Sequence, residues 1–137
     1  MVKEDRKKIF KNNIRLKKKC AKLIYLWCKE NLPVSRYHDN FPKMVLSNQN
    51  DKFFRGYYKD EKNLIGVYLK NNRSKKELCE TIIHEWKHYQ QNIYEMYDRY
   101  IVYYGYETNN HPYEISAEKY AKKHAEKCLN WLKQNIK

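Results

Sequence analysis

Glycine and proline are scarce in this chain, three of each among 137 residues. That scarcity argues against repeats, low-complexity tracts and flexible linkers, and the simplest expectation is one domain over residues 1–137. The four cysteines, Cys20, Cys28, Cys79 and Cys128, form no C-x-x-C pair and no dense disulfide spacing. Their pattern excludes a disulfide scaffold and predicts reduced, mostly buried thiols, as in a cytoplasmic protein. Long apolar runs are missing as well. The stretch "MVKEDRKKIFKNN" has no apolar signal-peptide core, and "AKLIYLWCKE" is too short and too charged to cross a bilayer, so no secretion or membrane contact is expected. Negative charge is the last deficit, with 16 Asp+Glu against 29 Lys+Arg and a formal charge of +13. Such a balance attracts anions, nucleic acid and acidic protein surfaces among them, without specifying a partner.

What the chain does contain is patterned. Fourteen tyrosines can fill a core or line its rim while keeping a polar handle. From about Lys3 to Asn31, the residues Phe10, Ile14, Cys20, Leu23, Ile24, Trp27 and Cys28 recur at helical spacing. Pro33 and Pro42 interrupt the pattern. Three strand-like runs follow, "KMVLS", "FFRGYY" and "LIGVYLK", separated by short polar segments that predict an antiparallel meander with hairpin connections. Ser74 then reads as an N-cap, with Glu77 three residues on completing a capping box. The helix it opens carries the apolar stripe Leu78, Ile82, Trp86, Tyr89 and Ile93 and stops no later than Gly105. Pro112 starts a last helix through "YEISAEKYAKKHAEKCLNWLKQ". The order of helix, three strands, helix and helix is that of an α+β domain.

One stretch of the second helix, "ETIIHEWKHYQQ", carries chemistry. His84 and His88 are one turn apart, so their imidazoles project from the same face about 6 Å apart and can reach one Zn²⁺. Glu85 lies beside that pair, where it can take a proton from a zinc-activated water. A composition like this yields such a five-residue match about once per hundred chains, so context has to support it. A catalytic zinc keeps three protein ligands and leaves the fourth position to water. "NHPYEISAEKYA" offers Glu114 and His111 as the third. Glu114 is favoured on packing grounds, because Ala117, Ala121 and Ala125 form a small-residue stripe that lets the last helix approach its neighbour closely. Glu118, one turn on, is a candidate acceptor for the other N–H of a ligand histidine. A bland role remains open for each: Glu114 as the N3 member of a capping box begun at His111, and Glu118 as a solvated charge. Reach adds a condition. An unbroken helix to Tyr104 ends about 24 Å beyond His88, a span that residues 105–111 barely return, so the helix is expected to bend or end earlier.

The motifs "HEWKH" and "EISAEKYA" resemble those of gluzincins, zinc peptidases whose third ligand is a glutamate on a helix after H-E-x-x-H. Glu114, Ala117, Tyr120 and Ala121 match the E-x-x-A-(D/N)-x-(F/Y)-A helix of minimal gluzincins, including IrrE/ImmA-like and CaaX-protease-like branches. Glu118 stands where those families have Asp or Asn. The organisation is also similar to the small zincins carried by phages and other viruses, which would place the protein in a host cytoplasm, and more distantly to SprT-like proteases, whose third ligand is a histidine. The resemblance implies a minimal zincin-like fold with an antiparallel sheet, zinc held by His84, His88 and Glu114, and Glu85 as general base in the hydrolysis of a protein or peptide. Substrate is expected to add as a strand to a sheet edge provided by "LIGVYLK". The competing expectations are a zinc-binding interaction module without turnover and a basic, nucleic-acid-associated protein, including a protease held near DNA.

Overall fold

The computed structural model describes residues 9–136. The predicted first helix is divided. Residues 9–12 are helical, and Asn13 then leaves helical geometry so that its Oδ1 accepts the Leu16 amide at 3.0 Å and caps α1, Ile14–Asn31. An asparagine side chain competes with the backbone ladder in this way, which is why a continuous apolar spacing did not reveal the break. The expected helical residues 3–8 lie outside those described. Lys17, fully buried in α1, donates Nζ to the Leu69 carbonyl at 3.0 Å, which satisfies part of a charge that burial otherwise penalises.

Three strands follow: β1 (Lys43–Ser47), β2 (Gly56–Lys59) and β3 (Leu64–Tyr68). The architecture is α+β, but the sheet is mixed rather than antiparallel. Its order is β1-β3-β2, with β1 parallel to β3 and β2 antiparallel to β3. Only the β2–β3 connection is a hairpin-like return, through Asp60–Lys62 and the left-handed Asn63 (φ 46°). The long segment between β1 and β2 carries the chain past β3's future position, a crossover that polar spacer length alone does not disclose. Gly66 lets the β2 ring of Tyr57 cross directly over β3; a Cβ there would collide with that ring.

Helix α2, Lys75–Gln90, starts where expected. Ser74 Oγ accepts the Glu77 amide at 3.1 Å, whereas Glu77 reaches back to the Arg73 amide at 2.8 Å rather than to Ser74 itself. Leu78, Ile82, Trp86 and Tyr89 face the core, and Trp86 is its anchor, fully buried with Nε1 donated to the Pro33 carbonyl. The helix stops at Gln90, well before Tyr104. A π-helical turn (Ile93–Tyr97) and a short α3 (Asp98–Val102) bring the chain round, and Gly105 turns it in the left-handed region at φ 73°. Ile93, assigned by periodicity to the α2 stripe, instead lines a cleft from the π turn. Helix α4, Pro112–Asn135, packs along α2 through the buried Ala117, Ala121 and Ala125, as the small-residue stripe requires. Asn72 docks the sheet on α2: this buried amide donates to the Arg55 and Tyr68 carbonyls and accepts from the Thr81 hydroxyl at 2.6 Å. All four cysteines are free and buried. Among the described residues no helix is long and apolar enough to cross a membrane.

Candidate metal centre

The end of α2 and the start of α4 bring the predicted residues together. His84 Nε2 and His88 Nε2 lie 3.5 and 2.6 Å from the same oxygen, Oε1 of Glu114. His84, Glu85 and His88 each offer one nitrogen or oxygen within 4.8 Å of the other two, so Glu85 lies beside the pair of imidazoles. Two ligands at zinc-bond length in a tetrahedral shell are about 3.3 Å apart, close to the His84–Glu114 separation. The shorter His88–Glu114 contact is a charge-assisted hydrogen bond, and an adjustment under about 1 Å admits an ion. Two imidazoles and a carboxylate suit zinc, and the set is one ligand short of a closed shell.

Electrostatics follow from this packing. Burial works to raise the Glu114 pKa, but hydrogen bonds from His84, His88 and Tyr97 prevail and hold it well below the carboxylate range. For His88 burial favours the neutral ring, yet the Glu114 hydrogen bond and the charges of Glu85 and Glu114 outweigh it and raise the pKa. Glu85 is only 7% exposed, and its pKa is raised, chiefly by burial, with the two histidines opposing. Gly56 lets β2 lie close against α2 beside Glu85: a Cβ at that position would stand only 2.8 Å from Thr81 Cγ2 and from the Gly66 carbonyl oxygen, and in ordinary contact with Glu85 Cγ at 3.6 Å.

Two residues that the sequence did not single out complete the site. Gln91, the C-cap of α2, donates Nε2 to the Tyr113 carbonyl at 3.0 Å, so its Oε1 faces His88 Nδ1 at 2.7 Å as acceptor. That orientation keeps a proton on Nδ1 and leaves the lone pair of the neutral ring on Nε2, the nitrogen facing Glu114. Glu118, expected in this role, is solvated and pairs with Lys122 at 3.1 Å instead. Tyr97, on the π turn, donates its hydroxyl to Glu114 Oε2 at 2.9 Å, leaving Oε1 to the histidines. One in fourteen tyrosines cannot be picked from sequence, and a π turn has no sequence signature that would have found it.

His111 is not part of the centre. Its Nδ1 accepts the Tyr113 amide at 3.0 Å, which makes it the N-cap of α4, and its Nε2 donates to the Tyr97 carbonyl at 2.9 Å. Both ring nitrogens are thus committed, and the ring is fully buried and stacked on Tyr97. The capping box proposed as an alternative role for Glu114 does not form, since both its carboxylate oxygens face the site.

A cleft of about 530 Å³ opens on His84, Glu85, His88 and Glu114, with walls that include Phe54, Tyr58, Ile93 and Ile115. The strand bordering it is β2, through Gly56, Tyr57 and Tyr58. The run "LIGVYLK" cannot offer an edge, because β3 is paired on both sides. No family model matches the chain, and neither a curated protein nor a solved structure does.

Proposed function

We propose that this protein is a zinc-dependent endopeptidase with a minimal zincin-like fold. The observation that carries the reading is the convergence of His84 Nε2 and His88 Nε2 on one oxygen of Glu114, with buried Glu85 alongside and an open cleft in front. His84, His88 and Glu114 hold the ion. When bound, zinc supplies a water acidified toward neutrality and a Lewis acid for the scissile carbonyl.

The chain's own residues do the rest. Glu85, whose burial raises its pKa and makes it a stronger base than an exposed carboxylate, would accept the water's proton and deliver it to the leaving amine. Gln91 fixes the ring of His88, and Tyr97 fixes the carboxylate of Glu114. An extended peptide pairs with the free edge of β2, whose backbone amides and carbonyls give binding with little demand on sequence. The test is Glu85→Gln. The variant keeps stoichiometric zinc and loses about 10²–10⁴-fold in cleavage of a denatured protein, the span general base catalysis supplies. Cleavage at the parent rate, with zinc bound, removes Glu85 as the base.

A further inference from the structure

A second groove, of about 570 Å³, lies beyond Ile115, which is also a wall of the catalytic cleft. Its rim is formed by Lys87 from α2 and by Lys119 and Lys123, one turn apart on α4, with Tyr106 and Tyr120 between. No acidic residue lines it. Three cations elsewhere are paired, Lys122 with Glu118 at 3.1 Å, Lys76 with Glu126 at 3.4 Å and Arg55 with Glu77 at 3.6 Å; what marks the groove is that its three lysines converge on one concave wall. Among the described residues, no carboxylate comes within 4.0 Å of Lys87, Lys119 or Lys123. Lys87 is half-buried, with Nζ 4.8 Å from the centre of the Tyr120 ring. The neighbouring His124 registers the field: burial, then Lys123, Lys127 and Lys87, depress its pKa.

We propose that this groove binds an acidic segment of the peptide substrate, Asp or Glu side chains lying to one side of the bond that is cleaved. The proposal rests on the peptidase reading and adds to it the charge of the substrate. A chain seated in the cleft passes over Ile115 directly into the groove, so both sites are filled by one extended molecule. Carboxylates arriving there meet ammonium groups that have no counter-charge to give up, and no acidic wall repels them. The groove is short, with about 6 Å between Lys119 and Lys123 along the α4 axis. That length suits a few side chains of a peptide, whereas a nucleic-acid backbone gains affinity by neutralising many phosphates along a track.

The experiment uses the zinc-loaded full chain carrying Glu85→Gln and fluorescence anisotropy. Its probes are a labelled peptide with an Asp/Glu block, the same peptide with Asn/Gln in that block, and a labelled single-stranded oligonucleotide. The expected result is that the acidic peptide binds about tenfold tighter than its amide counterpart, that high salt erases the preference, and that Lys119→Glu with Lys123→Glu brings the ratio to one or below. Equal binding of the two peptides, no binding of either, or a ratio untouched by the charge reversal overturns the proposal. So does an oligonucleotide that displaces the acidic peptide, which would make this a nucleic-acid surface. Parent protein assayed on a neutral denatured substrate separates the two claims. Cleavage without an acidic preference removes the groove alone, while acid-selective binding without cleavage leaves the groove and removes the peptidase.

Discussion

Replacing Gln91 by leucine probes how the site holds its histidine. Leucine keeps most of the volume of this nearly buried residue but none of its amide. Two hydrogen bonds are lost, from His88 Nδ1–H at 2.7 Å and to the Tyr113 carbonyl at 3.0 Å, while the backbone N–H to the His88 carbonyl remains. Stranding the His88 N–H, whose side chain is only 8% exposed, is the larger loss. With an unsatisfied buried donor at about 1–3 kcal/mol and a partly hydrated carbonyl at about 1 kcal/mol, the apoprotein should lose about 2–4 kcal/mol. Zinc affinity should fall about 10–100-fold, because the ring is then free to carry its proton on Nε2 or to rotate. Chemical denaturation in chelator measures the first quantity, and competition with a chromophoric zinc chelator the second. Gln91→Glu is the informative partner. It keeps an acceptor for Nδ1–H but turns a second oxygen toward the Tyr113 carbonyl, so it should recover zinc affinity more fully than stability. A folded Gln91→Leu protein with the parent's zinc affinity would refute the tautomer argument.

The pH dependence of the apoprotein should follow the two opposed shifts. His88 titrates above its ordinary 6.5, so its contribution is complete below that value and disappears as pH rises through the raised pKa. Glu114 titrates below its ordinary 4.5, so its contribution is present above 4.5 and is lost only as pH falls through the depressed pKa. Denaturation in chelator should therefore show this increment between the two limits and a decline on the alkaline side, whereas zinc affinity should rise over that same alkaline range as the His88 proton is displaced. Calorimetry in buffers of different ionisation enthalpy should detect that proton; buffer-independent heats below the His88 pKa would contradict the assignment. Gly56→Ala should cost about 1–3 kcal/mol, since its Cβ meets the Gly66 carbonyl and Thr81 Cγ2 at 2.8 Å each, and should reduce cleavage by displacing β2 where it borders the cleft. A thermal midpoint and rate equal to the parent's would show that β2 moves aside freely.

Local signals in the chain were strong enough to read the starts of α2 and α4 and the stripe that joins them, but not the Asn13 break before α1 or the π turn after α2. The Ser74 cap, the Pro112 start and the Ala117–Ala121–Ala125 row each act within a few residues, and each is found where periodicity and capping chemistry put it. The sheet was misread because pairing is not local: three short runs with polar spacers suit a meander and a mixed sheet equally, and only the completed fold sets β1 parallel to β3. The position of His84, Glu85 and His88 on one helix was legible from their spacing, the approach of Glu114 from the small-residue stripe of the last helix, and the early end of α2 from reach. The supporting residues were not. Gln91 acts through the tertiary contact of its amide with Tyr113, and Tyr97 through an irregular turn, whereas the residue expected to help, Glu118, finds a lysine one turn away on its own helix. His111 was a reasonable ligand candidate by type, but capping α4 and bonding the Tyr97 carbonyl occupy both its nitrogens.

The most direct test of the account is a zinc add-back. Protein stripped by a chelator is titrated with zinc while cleavage of an unfolded protein is followed. Activity should be absent at the start, climb in proportion to added metal and level off at one ion per chain. Cleavage that ignores the chelator, or none at any zinc concentration from a chain that binds the ion, would contradict it.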